Sequence, residues 1–167
     1  MKLTLLIMVL VTGSLFSGDK FNSLLDLHEN KDYFKFIRNY DNTELAEWEK
    51  LYINALILNL KSKNKESNEL IIGLMEKYGS SIEDSLKMEL LETRMKNSVN
   101  MFNYKDAVYC TETIINNYSK LLDSTEADDM RNSLVIWKAA ENLKEQGVEI
   151  TGDSKLNYKR DIAGLIN

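Results

Sequence analysis

From Phe21 to Lys144 apolar side chains return every three to four residues, the roughly 3.6-residue period of packed helices. Leu24, Leu25 and Leu27 open a short helix that a turn at Asn30-Lys31-Asp32 breaks. Tyr33, Phe34, Phe36 and Ile37 continue in a second. Glu44 to Lys61 is apolar nearly all round, with Leu45, Trp48, Leu51, Tyr52, Ala55, Leu56 and Leu58 as one set and Ile53, Ile57 and Leu60 as another. A helix of that kind must be sandwiched between neighbours. Glu66 to Tyr78 carries a single stripe, Leu70, Ile71, Leu74, Met75 and Tyr78, and Gly79 is placed as its C-terminal cap. Ser81 and Asp84 have the spacing of a capping box, opening a helix that runs through Leu86, Leu90, Leu91, Met95 and Val99 to Phe102. The most regular spacing follows, from Tyr104 through Ala107, Val108, Thr111, Ile114, Ile115 and Tyr118 to Leu122. A last helix begins near Ser124-Thr125, carries Met130, Leu134, Trp137, Ala140 and Leu143, and stops at Gly147.

The turns recur. Asn30-Lys31-Asp32, Asn64-Lys65-Glu66 and Asn103-Tyr104-Lys105-Asp106 each join two helices, at separations of 34 and 39 residues. Paired helices at that interval mark a helical solenoid, and the tetratricopeptide type is nearest in length. Trp48, Tyr52 and Ala55 fit a first helix of such a repeat, and Ala107 is the small residue a second helix needs for close approach. No proline closes a repeat, because the chain has none. The expected fold class is all-α: a tetratricopeptide-like helical hairpin array or an irregular helical bundle, with an extended C-terminal tail.

The two ends of the chain depart from this period. Lys2 precedes an apolar run from Leu3 to Val11, followed by the small residues Thr12-Gly13-Ser14 and Ser17-Gly18. That layout predicts a secretory signal peptide over residues 1–18, too short for a membrane span, which needs about 20 apolar residues. No cysteine follows the run, so the lipid-attachment pattern of bacterial lipoproteins is missing. The helical domain is expected over 19–146, in a chain that is secreted, periplasmic or on the cell surface and keeps no stable membrane span after cleavage. Beyond it Val148-Glu149-Ile150-Thr151 alternates and Ile162 to Ile166 is largely apolar, so 147–167 reads as a linker or the start of a further domain.

Charge and cysteine content narrow the function classes. With 26 Asp and Glu against 21 Lys and Arg, a net charge of −5, a nucleic-acid partner is not expected. The one dense basic run, Lys61-Ser62-Lys63-Asn64-Lys65, reads as a solvated turn whose charges complement helix dipoles. Cys110 is the only cysteine, so no disulfide forms within the chain, and it reads as a partly buried helix residue beside Ala107, Thr111 and Ile114. The single histidine, His28, precedes Glu29 but lacks the second histidine of a zinc-binding helix. Glu89 with Glu92, and Asp128 with Asp129, read as solvated helix faces. Asp123-Ser124-Thr125 lacks the glycine of an aspartic peptidase loop and reads as a helix N-cap region. No catalytic, metal-ligating or cofactor-binding residue is expected.

Several short stretches together resemble the helical N-terminal region of secreted bacterial retropepsin-like aspartic peptidases. They are Phe21 to Leu25, Trp48 to Tyr52, Glu66-Ser67-Asn68, Phe102 to Ala107, Leu121 to Glu126, and Arg160 to Asn167. In that family a segment like Gly164-Leu165-Ile166-Asn167 precedes the first strand of the peptidase fold, and the catalytic Asp-Thr-Gly lies further on. The motif has no counterpart here, so the resemblance implies a non-catalytic, truncated, peptidase-associated region that positions a downstream peptidase domain or binds protein. The alternative is a stand-alone tetratricopeptide-like adaptor in the periplasm or at the surface that captures a peptide or protein. Asn54, Arg94 and Lys138, polar residues flanking the apolar stripes, are its groove candidates.

Overall fold

The structure, a computed structural model, describes residues 18–148. The leader expected over 1–18, Gly18 apart, and the tail after Val148 lie outside the described residues. Seven α-helices account for most of what is described: α1 over 18–29, α2 Tyr33–Tyr40, α3 Glu47–Leu60, α4 Asn64–Tyr78, α5 Asp84–Asn100, α6 Tyr104–Asn117 and α7 Ser124–Glu145. A 3₁₀ turn, Ser119–Leu121, lies between the last two. The fold class is all-α, with no strand among the described residues. Within the span expected as one helical domain, the chain divides into two compact units between Ile57 and Leu58.

One connection is used three times. After α1, α3 and α5 the chain passes through a residue in the left-handed region, Lys31 (φ 60°), Ser62 (φ 58°) and Phe102 (φ 56°). The next residue, Asp32, Lys63 or Asn103, is in each case the N-cap of the following helix. The amide of the left-handed residue donates to a carbonyl three residues back, and the next amide to one five back, as in Phe102 to Val99 (3.0 Å) and Asn103 to Ser98 (2.8 Å). This double bond satisfies carbonyls that a helix end otherwise leaves open. The same pattern ends α7, where Gly147 (φ 78°) donates to Lys144 and Val148 to Leu143. Equivalent N-caps therefore recur at intervals of 31 and 40 residues rather than 34 and 39. The middle turn is Lys61-Ser62-Lys63, and Asn64 already belongs to α4. Turn chemistry hid it, since serine in the left-handed conformation announces itself less than glycine.

Other boundaries moved for local reasons. α3 begins at Glu47, not Glu44, because the Glu49 carboxylate accepts the Ala46 amide at 2.8 Å, one half of a capping box. The Ser81–Asp84 box does not form: Ile82 is buried, Glu83 is the extended N-cap, and α5 starts at Asp84. α6 stops at Asn117 instead of reaching Leu122, since Leu122 and Asp123 must be extended to launch α7. Asp123 is that helix's N-cap, in a full capping box with Glu126. Gly79 ends α4 as expected but in right-handed geometry; a Cβ there would run into the Met75 carbonyl oxygen.

In the first unit the Phe21 ring meets Trp48 and Tyr52 edge-on, at 5.1 and 5.4 Å, over a core that includes Leu24, Phe36 and Ile53. In the second unit α4 packs on α5, α5 on α6 and α6 on α7. Its apolar core gathers Leu91 and Met95 from α5, Tyr104, Ala107, Cys110 and Ile114 from α6, and Trp137 and Ala140 from α7. Ala107 is fully buried, and the rings of Tyr104 and Trp137 lie nearly parallel at 6.4 Å.

The two kinds of left-handed residue should respond oppositely to substitution. Gly147→Ala is expected to cost about 1 kcal/mol, and Ser62→Gly to gain up to about 1 kcal/mol, in urea unfolding followed by circular dichroism. A gain from Gly147→Ala, or a loss from Ser62→Gly, would contradict the backbone reading.

Candidate functional site

The three groove candidates are all engaged within the fold. Asn54 is half-buried on α3 and hydrogen-bonds the Tyr40 hydroxyl. Burial raises the pKa of that phenol, Asn54 lowers it in part, and Asp41 adds a smaller upward push. Arg94, on α5, reaches Asp106 on α6 with two nitrogens, its Nε at 3.0 Å, and its guanidinium stacks over Tyr109 at 5.2 Å. Burial lowers the pKa of Arg94, but the pairing with Asp106 outweighs it and holds the guanidinium above its ordinary value. Lys138, on α7, is exposed and pairs with Glu112 on α6 at 2.7 Å. Asp106 and Glu112 are six residues apart on α6, about 120° around the helix, so Arg94 and Lys138 address different flanks of it.

The densest polar cluster lies inside the second unit, where the apolar pattern showed nothing. Asn97 of α5 is fully buried and its amide nitrogen donates to Ser67 Oγ (3.0 Å) and Asn68 Oδ1 (2.9 Å) of α4. Its oxygen accepts from Asn59 of α3 at 2.7 Å. Asn68 donates to Ser98 Oγ (2.8 Å) and, at 3.4 Å, to the Arg94 carbonyl. Ser98 donates in turn to Asp106 at 2.5 Å, where the chain ends on the Arg94 pair. Seven side chains from four helices thus form one connected set. A signal was present: Ser67 and Asn68 occupy the turn preceding Ile71 and Leu74, on the same buried stripe. Polar residues on an apolar stripe point to an internal network.

The Cys110 thiol is fully buried, and burial first, then the nearby Asp106, push its pKa up to about 12, against a smaller opposing pull from Arg94. A thiol held neutral is a poor nucleophile. His28 belongs to the first unit, against the rings of Tyr33 and Phe36 at 5.8 and 5.3 Å. The half-buried Glu92 pairs with Lys96, and Asp128 with Arg131, along their own helices. Among the described residues no group of three or more His, Cys, Asp or Glu side chains is placed to hold a metal ion. Surface clefts among the described residues include one of about 240 Å³, lined by Asp19, Lys20, Ser23, Leu24, Asn39 and Thr43 in the first unit, and one of about 300 Å³, lined by Ser62, Lys63, Asn64, Lys65, Glu66 and Met101 in the second. No helix among the described residues is long and apolar enough to cross a membrane.

No family model, curated protein or solved structure matches the chain.

Replacing Asn97 by leucine, which keeps the branched shape but has no polar atom, removes the partners of Asn68 Oδ1 and Asn59 Nδ2 and one bond to Ser67, and is expected to cost about 3 kcal/mol in urea unfolding. A loss below about 1 kcal/mol would show that the network contributes little.

Alkali should also destabilise the second unit. Burial raises the Tyr104 phenol from 10.0 to about 12, alongside the Cys110 thiol raised from 9.0 to about 12. The folded chain keeps both neutral while the unfolded chain ionises them earlier. Their contribution is intact below pH 9 and lost progressively between pH 9 and 12. Melting temperature measured across that range should fall, and Cys110→Ala should remove the part that begins near pH 9.

Proposed function

We propose that this chain is a non-catalytic helical scaffold that positions or binds another protein. The carrying observation is the bonded interior of the second unit: its buried and half-buried polar side chains from Asn59 to Asp106 are spent on one another across four helices. Polar groups used that way hold helices in register. They are not free to bind substrate or to move protons. A rigid array of hairpins offers surfaces, and function on such a scaffold resides in what those surfaces meet.

The resemblance extends the proposal to an accessory region of an exported aspartic peptidase-like protein, on the N-terminal side of the peptidase domain. A stand-alone exported adaptor is the second reading, supported by exposed aromatic rings lying under arginines. Phe34 is 76% exposed beneath Arg38, and Tyr109 54% exposed beneath Arg94. Aromatic and arginine side chains of this kind are enriched where proteins dock.

Translating the DNA past the Asn167 codon in all three frames separates the two. An Asp-Thr-Gly or Asp-Ser-Gly in a strand-rich continuation is the outcome expected for the peptidase context; a stop followed by unrelated sequence sinks it. For either scaffold role, a photo-crosslinking residue at position 34 or 109 should give a discrete protein adduct in cells. Absence of any adduct from both positions counts against protein binding.

A further inference from the structure

The turns of the second unit place lysines where helix energetics disfavours them. Lys63 is the N-cap of α4, and its side chain makes no capping bond. Lys65 is the second residue of α4 and Lys105 the second of α6. The start of a helix carries partial positive charge, which favours carboxylates there and disfavours ammonium groups. In the basic run only Lys61, just past the end of α3, complements a dipole, so the expectation that the whole run does so fails for Lys63 and Lys65. Beyond the weak exposed pairs Lys63–Glu66 and Lys65–Glu69, fold stability gives no account of these lysines.

They are also gathered. The α3–α4 turn and Met101 line the same 300 Å³ cleft. Met101 leads into Phe102, whose carbonyl accepts a hydrogen bond from the Lys144 ammonium of α7 at 2.8 Å. The α3–α4 turn, the α5–α6 turn and the end of α7 thus share one edge. Along it Lys61, Lys63, Lys65, Lys105 and Lys144 are all exposed, and Phe102 stands among them, 41% exposed, at the tip of its turn. The acids nearby do little to cancel them. Glu66 and Glu69 meet Lys63 and Lys65 at 3.1 and 3.9 Å in pairs that are more than half exposed, Asp106 is committed to Arg94 and Ser98, and Glu145 is one further exposed carboxylate. Such an edge stands out on a chain of net charge −5.

We propose that this edge docks on an anionic lipid bilayer. Charge complementarity chooses the partner: long lysine stems carry their ammonium groups to the phosphate plane, while a ring protruding between them enters the headgroup layer. A row of turn tips fits a plane better than it encloses a peptide. This binding is additional to the scaffold role, and it is read out without any protein partner, so the two fail separately.

The test is co-sedimentation of the full chain with vesicles of phosphatidylcholine alone and of phosphatidylcholine mixed with phosphatidylglycerol. Binding is expected only to the anionic vesicles and should fall as salt rises. Lys63→Gln, Lys65→Gln and Lys105→Gln together should weaken it about a hundredfold, each lysine near such a surface counting for about fivefold. Phe102→Gly should weaken it several-fold while preserving the melting temperature, since glycine suits the left-handed backbone there. Lys31→Gln with Lys35→Gln, in the first unit, should leave it unchanged. Equal binding to both vesicle types, or undiminished binding by the triple lysine variant with an intact circular dichroism spectrum, would overturn the proposal. So would binding of polyglutamate or a single-stranded oligonucleotide without binding of anionic vesicles.

Discussion

Asn97 has no route to water, so each hydrogen bond its amide makes must be found inside the protein. Ser67, Asn68 and Asn59 supply them, and Asn68 passes the requirement on to Ser98 and Asp106. Apolar contacts are non-directional and tolerate sliding. Hydrogen bonds do not. A slip of α5 by one turn along α4 moves it about 5.4 Å, out of bonding range for every member of the network. The apolar core around Ile114 and Trp137 holds the second unit together; the polar network decides which arrangement of helices that core may have. The Arg94–Asp106 pair closes the network on a charge-assisted, two-point contact, the strongest type of link available to it.

Helix existence was legible because an apolar stripe is a property of one helix at a time. All seven helices were anticipated, and the apolar stripe of the best-patterned, α6, starts at Tyr104 as the helix does, although Tyr104-Lys105-Asp106 also read as part of a turn. Boundaries were less legible because they depend on single hydrogen bonds: Glu49 to Ala46 sets the start of α3, and Ser62 in a left-handed turn sets the start of α4. The capping box expected at Ser81 failed while the one at Asp123 formed, although both have an acid three residues on. The difference is Ile82, whose burial fixes the chain before α5 can begin.

The interior network was not legible in advance, although its residues were in view. Ser67 and Asn68 carry part of the resemblance to peptidase N-terminal regions but nothing in the apolar pattern marks them or Asn97, because periodicity counts apolar residues and ignores a polar one that shares their face. Arg94 was singled out as a groove residue for its polarity; its commitment to Asp106, twelve positions later, depends on α5 and α6 being antiparallel neighbours. Polarity in a sequence says that a side chain wants a partner. It does not say whether the partner is solvent, a ligand or the next helix.

The serial packing of α4 on α5, α5 on α6 and α6 on α7 bears on how the second unit assembles. Contacts between helices adjacent in sequence form early and fast, because little chain entropy is lost in bringing them together. A pair such as α5 and α6 can therefore associate through Leu91, Met95 and Ala107 while Asn97 is still hydrated. Desolvating Asn97 becomes worthwhile only once α4 brings Ser67 and Asn68 and the end of α3 brings Asn59. The network thus rewards the last helix to arrive more than the first, and turns a row of hairpins able to fray one at a time into a unit that closes together.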